Sequence, residues 1–252
     1  MTTTSKKTGF MANVPSDFSE PSDEAARTLF KEYGSVFVAR GGVIPPKTVV
    51  FKDAAAVSAF QSTLATSSVT IGGFLLELQA PAMKALKEAI NDTKTQNLSI
   101  NPRDKDSAKR TYHETIDLWA SRVDPALKHW VGLGKIAQSD ADRIKSLSPY
   151  EQVPEVFKLE AKGIWFAKDL SKSIIYSVAP PGTSQHLSML AFDVKEHENE
   201  KVRALLAKHG WYQTVTSDLP HFTYLGVPES ELPGLGLKRV SDHGRSFWIP
   251  AI

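Results

Sequence analysis

Cysteine is absent from all 252 residues. That removes disulfide frameworks, cysteine-based metal ribbons and thiol nucleophiles at once, so any metal would be held by histidines and carboxylates. A surplus of one charge sign is missing too: 30 Lys and Arg stand against 28 Asp and Glu, for a net charge of +2. No basic stripe interleaves with aromatics, and no nucleic acid partner is expected. Long apolar runs are also lacking. The stretch over residues 69–78 is interrupted by Gly72, Gly73 and Glu77, far short of the about 20 residues needed to cross a bilayer, so no membrane span is expected. The opening MTTTSKKTGF is polar and has no apolar signal core. Two compartments stay open: the protein remains inside the cell, or it is periplasmic or extracellular after loss of a leader. What remains is ordinary for a globular chain, 41% hydrophobic and 23% charged, with length for one large core or two modest ones.

Residues 1–21 are polar and rich in Ser, Thr and Pro, and read as a flexible tail. Ser22 reads as the cap of a helix that Gly34 stops, and residues 35–39 and 48–51 as short strands. Asp53 caps a further helix. Together, residues 22–78 form an expected N-terminal α/β extension. Residues 79–252 then form the main domain. Helical spacing starts near Ala80, a brief strand is expected over 98–100, a long helix opens at Asp106, and more helical pattern runs over 125–147. Residues 173–178 look β-like. Strands are expected over 190–194, 211–215 and 221–225, with a helix over 198–209 stopped by Gly210. Helices first and an antiparallel cluster last argue for an α+β fold: a small antiparallel sheet with flanking helices.

Seven histidines are present, and two carry a pattern. His186 follows the rigid Pro180-Pro181-Gly182 turn, with Asp193 seven residues on. His221 opens another strand, and Asp218 stands three residues before it. A His, Asp, His set leaves the fourth position of a zinc ion open to water, as a catalytic site needs. Isolated histidines such as His113, His129 and His209 have no such company. Trp119, Trp130, Phe222 and Tyr224 read as core.

The run PPGTSQHLSMLAFDV resembles the first signature of the VanY-like D-alanyl-D-alanine carboxypeptidase and dipeptidase metallopeptidases, S-x-H-x-x-G-x-A-x-D. Ser184, His186, Ala191 and Asp193 match it. The second signature, E-x-x-H before an aromatic strand, is approximated by Asp218-Leu219-Pro220-His221 with Phe222-Thr223-Tyr224 following. LSINPRDKDSAKRTY offers Arg103 where the family has an arginine after a short strand. The resemblance covers roughly residues 80–226 and implies a hedgehog/DD-peptidase-like fold. It implies Zn2+ held by His186, Asp193 and His221, Asp218 as the acid–base group, Arg103 stabilising the oxyanion, and Ser184 contacting substrate. Two positions depart from the pattern. Met189 stands where the family has glycine, adding bulk beside the site, and Asp218 stands where it has glutamate, one methylene shorter.

The resemblance implies a zinc D,D-carboxypeptidase acting on peptidoglycan stem peptides. Two alternatives accompany it: cleavage of L-alanyl-D-glutamate or of free D-Ala-D-Ala on the same site, and a zinc-bearing wall-binding module that Asp218 leaves catalytically silent. The oligomeric state is not readable from the sequence.

Overall fold

Helices α1 (Glu24–Tyr33) and α2 (Ala54–Gln61) begin where aspartates cap them: Asp23 and Asp53 accept from the amides of Ala26 and Ala56, each at 2.8 Å. The cap of α1 is thus Asp23 rather than Ser22. The computed structural model describes residues 8–242 and 244–252. Of the expected tail, residues 1–7 lie outside the described residues. Phe10, Val14 and Phe18, which follow, are buried in the main hydrophobic cluster, where Phe10 and Phe18 lie 5.6 and 5.4 Å from Phe30. At about 1.5–3 kcal/mol for each large apolar side chain buried, that stretch is anchored rather than loose.

The expected strand over 35–39 is a 3-10 helix, Gly34–Val38, with all five residues buried. A segment enclosed on every side carries no polar face, so its apolar run does not distinguish turn from strand. Residues 48–51 make only an isolated bridge between Ser19 and Thr48. The glycines that interrupt 69–78 instead form the turn of a hairpin, β1 (Thr66–Ile71) with β2 (Phe74–Gln79), both glycines at positive φ.

α3 (Ala80–Thr93) follows directly. The long helix α4 (Tyr112–Gly132) starts later than Asp106, at a Thr111–Glu114 capping box. It passes through Pro125, and α5 (Gln138–Ser146) and α6 (Pro149–Glu160) complete the helical side. The expected strand over 98–100 is irregular, with one bridge from Pro102 to Val194, and the β-like 173–178 contains the 3-10 turn Ile174–Tyr176.

The last third holds β3 (Ala191–Asp193), α7 (Glu200–Lys208), β4 (Trp211–Tyr212) and β5 (His221–Tyr224), ordered β3-β5-β4 and antiparallel throughout. A hairpin, β6 (Leu237–Asp242) and β7 (Arg245–Pro250), closes the chain. The architecture is α+β, with small antiparallel sheets among helices. One hydrophobic cluster runs from Phe10 to Trp248, and the sequence boundary at 78/79 falls inside it, since Leu78 and Ala82 both belong. Among the described residues no helix is long and apolar enough to cross a membrane.

One turn ties the first third of the chain to the site. Gly182, at φ 78°, offers its carbonyl to the Phe51 amide at 2.9 Å, and a Cβ there would stand 2.0 Å from the Phe51 carbonyl oxygen. Only glycine fits that approach.

Candidate metal centre

The pairing register of β3 and β5 sets Asp193 directly across from His221. On β5, His221 and Thr223 share one face while Phe222 and Tyr224 turn to the core, as strand alternation requires. His186 comes from the 3-10 turn Gln185–Ser188, which Met189 ends at φ 58°. The motif's glycine position is therefore a left-handed one, held here by a fully buried methionine that does not line the cavity beside the site. The expected bulk at the substrate pocket is absent, and the methionine instead bears backbone strain of about 1–2 kcal/mol.

His186, Asp193 and His221 are 1%, 5% and 4% exposed, so water is a poor partner for them. Their candidate ligand atoms lie within 4.8 Å of one another. Each ring's tautomer follows from its other nitrogen. His186 Nδ1 lies 2.6 Å from the Ala108 carbonyl oxygen, which can only accept, so Nδ1 carries the proton. In the neutral ring Nε2 is then a bare lone pair. It has no hydrogen-bond partner among the described residues and faces Asp193 Oδ1 at 3.2 Å.

His221 is fixed by a longer chain. The Gln185 amide nitrogen donates to the Tyr33 carbonyl at 2.8 Å, and the Thr223 hydroxyl donates to Gln185 Oε1. Gln185 Oε1 is thus the acceptor that His221 Nε2 meets at 2.9 Å. The neutral ring's Nδ1 is bare and lies 3.1 Å from the same Asp193 Oδ1. With both rings in these neutral tautomers, two imidazole lone pairs and a carboxylate oxygen converge, an arrangement that a cation satisfies. Zinc ligands at about 2.0–2.1 Å in a tetrahedron stand about 3.3 Å apart, close to these separations. The residues present fit the metal.

Charges tune the group. Burial, reinforced by the Arg110 guanidinium and only partly opposed by Asp193, pushes the His186 imidazole down to about 4. Burial raises Asp193, whereas an imidazole that turns a proton toward it lowers its carboxyl well below the usual range, so the carboxylate is the form that meets either a proton or a cation here. Neutral histidines and an ionised carboxylate are the ligating forms. Arg110, which sequence reasoning missed, binds Asp193 Oδ2 at 2.9 Å and leaves Oδ1 for the converging lone pairs. Nothing local separates it from Lys109. Its signal is a partner 83 residues away.

A cavity of about 450 Å³ opens on the cluster, and Arg103, Ser184 and Asp218 line it as well. Arg103 follows the Pro102 bridge, its amide donating to the Asp193 carbonyl at 3.2 Å, and its side chain is exposed at the rim. The helix expected behind it from Asp106 begins instead at Tyr112. Ser184 is buried. Asp218 is half-buried in the turn that leads into β5, and burial together with the Asp193 charge raises its carboxyl above the ordinary value. The neighbouring Ser217 hydroxyl donates to Glu32 Oε1 at 2.8 Å, so α1 braces that turn. The structure therefore brings all six expected site residues to one cavity.

The chain is similar to one solved vancomycin-resistance protein. That protein is the D,D-pentapeptidase VanY from a VanB-type resistance cassette, crystallised as a point mutant in complex with Zn(II). The two share 15% identity over 77% of this chain and 89% of the other, with a TM-score of 0.37. No family model and no curated protein matches the chain.

Proposed function

We propose that this protein is a zinc-dependent D,D-carboxypeptidase acting on peptidoglycan stem peptides, in the periplasm or outside the cell. The carrying observation is the convergence of His186 Nε2 and His221 Nδ1 on Asp193 Oδ1 beside an open cavity. When bound there, zinc would supply Lewis acidity and a water acidified toward neutral pH. His186, Asp193 and His221 would hold it, with Ala108, Gln185 and Arg110 fixing the orientation of each ligand.

In this reading Asp218 takes a proton from the attacking water and returns it to the leaving amine. Its raised carboxyl pKa moves it toward the working pH, where a shuttle is most effective. Arg103, whose guanidinium has no ion-pair partner among the described residues, would face the charge that develops on the scissile carbonyl oxygen. Ser184 would contact the peptide. The shorter Asp218 side chain is compatible with this role because the Glu32–Ser217 contact holds its turn at the cavity.

Metal content by plasma mass spectrometry, followed by a mass-resolved panel of D-Ala-D-Ala, L-Ala-D-Glu and stem-peptide substrates, tests the proposal. About one zinc per chain is expected in the wild type and none in His186→Ala. Asp218→Ala should keep zinc and lose turnover. Wild-type protein that holds no zinc after loading, or Asp218→Ala that hydrolyses at the full rate, would overturn it. Activity confined to Asp218→Glu would point instead to a silent wall-binding module.

A further inference from the structure

Three guanidinium groups reach the cavity, and they are not equivalent. Arg110 is neutralised by Asp193 at 2.9 Å, and Arg103 sits exposed at the rim. Arg122, on α4, is half-buried. Its Nε donates to the Ser177 hydroxyl at 2.7 Å and its Nη1 to the Ser121 hydroxyl at 2.8 Å. Both partners are neutral, and among the described residues no carboxylate pairs with it. A guanidinium offers five N–H donors in a planar fork, so most of this one stays available. The cavity wall also carries the aliphatic Leu118, Ile175, Val178 and Ala179, with Tyr176 and Ser177 among them. A half-buried cation without a carboxylate partner among the described residues, fixed at its Nε end in a cavity with aliphatic side chains in its wall, suits a carboxylate received two-pronged.

We infer that Arg122 is the receptor for the free C-terminal carboxylate of the substrate, whose last side chain is small and apolar. The inference rests on the peptidase reading and deepens it: Arg122 makes the site select chain ends over internal bonds. Ser121 and Ser177 hold the fork, and among the cavity's cations Arg122 is the half-buried one with no carboxylate partner among the described residues. An internal peptide bond would bring no charge to Arg122 and leave it desolvated and unpaired, a penalty that disfavours endopeptidase substrates.

Binding and cleavage are measured separately on the zinc-loaded protein with three probes: N-acetyl-D-alanyl-D-alanine, its C-terminal amide, and N-acetyl-L-alanyl-D-glutamate with its α-carboxyl amidated. The wild type should bind the free acid roughly 10- to 100-fold more tightly than the amide, as expected for one charged hydrogen-bonded pair. Arg122→Gln should erase that preference with zinc content and melting temperature unchanged. Arg122→Lys, which keeps the charge without the fork, should retain part of it. A wild type without preference, or an Arg122→Gln variant that keeps it, overturns the inference. Preference for the glutamate probe would give Arg122 to an acidic side chain and overturn the chain-end assignment. Selective binding without cleavage by any zinc-loaded form would sink the peptidase reading while leaving the carboxylate receptor standing.

Discussion

Lowering the pH of the metal-free protein should cost it stability in proportion to the depression of His186. In the unfolded chain this imidazole titrates near 6.5, and in the folded chain near 4, because burial and Arg110 outweigh Asp193. Between those values the unfolded state binds more protons than the native state, so stability rises with pH across the window. The contribution is complete above 6.5 and is lost as the pH falls through 4. Two and a half units correspond to about 3 kcal/mol in full, and to about 2 kcal/mol already lost at pH 5. With a urea m-value near 2–3 kcal/mol/M, the unfolding midpoint should fall by roughly 0.7–1 M between pH 7.5 and pH 5. The measurement is urea unfolding in the presence of a chelator, for the wild type and for His186→Gln, which cannot titrate. The difference between their pH slopes reports His186 together with the Asp193 carboxyl coupled to it. If the two proteins lost stability in parallel, Asp193 would be stabilising the imidazolium against burial. The bare Nε2 lone pair, and the case for a cation there, would then be wrong.

Gln185→Met removes the acceptor that fixes the His221 tautomer and should weaken zinc affinity by about 10- to 100-fold, read by chelator competition, while His186 remains in place. Gly182→Ala forces a Cβ to within 2.0 Å of the Phe51 carbonyl oxygen and should destabilise by at least about 2 kcal/mol in chemical denaturation. Trp119→Phe leaves the Gln152 acceptor unpaired beside a small void, and about 2 kcal/mol of lost stability is expected by the same assay. Zinc at a hundred times its dissociation constant should raise the wild type's stability by about 2.7 kcal/mol and leave His186→Ala unmoved, by calorimetric melting.

The site was more legible in the sequence than the scaffold around it. His186, Asp193 and His221 are readable because their neighbours follow a short pattern that ends on strands, and β3 and β5 then oppose Asp193 and His221 in register. The same local reasoning failed at residues 34–38, where burial on all sides hides the period. It also missed the Gly72-Gly73 hairpin, whose strand β1 is mostly polar and partly exposed. Arg110, Arg122, Gln185 and Tyr33 were out of reach for another reason. Each matters through a partner or a cavity assembled from distant segments, Gln185 with Tyr33 across 152 residues, and no spacing in the sequence records that.

That distance explains how the site can hold three acceptors together before any metal arrives. Asp193 Oδ1 facing two bare imidazole nitrogens at 3.1–3.2 Å is locally unfavourable, and an isolated peptide would rotate the rings away. Here rotation of His221 would break its bond to Gln185, whose amide is itself held by the Tyr33 carbonyl and the Thr223 hydroxyl, with Thr214 behind Thr223. Rotation of His186 would strand the Ala108 carbonyl in a buried site. An unmade buried hydrogen bond costs about 1–3 kcal/mol, so the surrounding fold enforces the clash. α1 supplies Tyr33, and the 103–110 segment supplies Ala108 and Arg110. The first third of the chain is thereby part of the centre: it keeps His221 Nδ1 pointed at the place a cation would take, and that preorganisation is stored in the core instead of in the ligands.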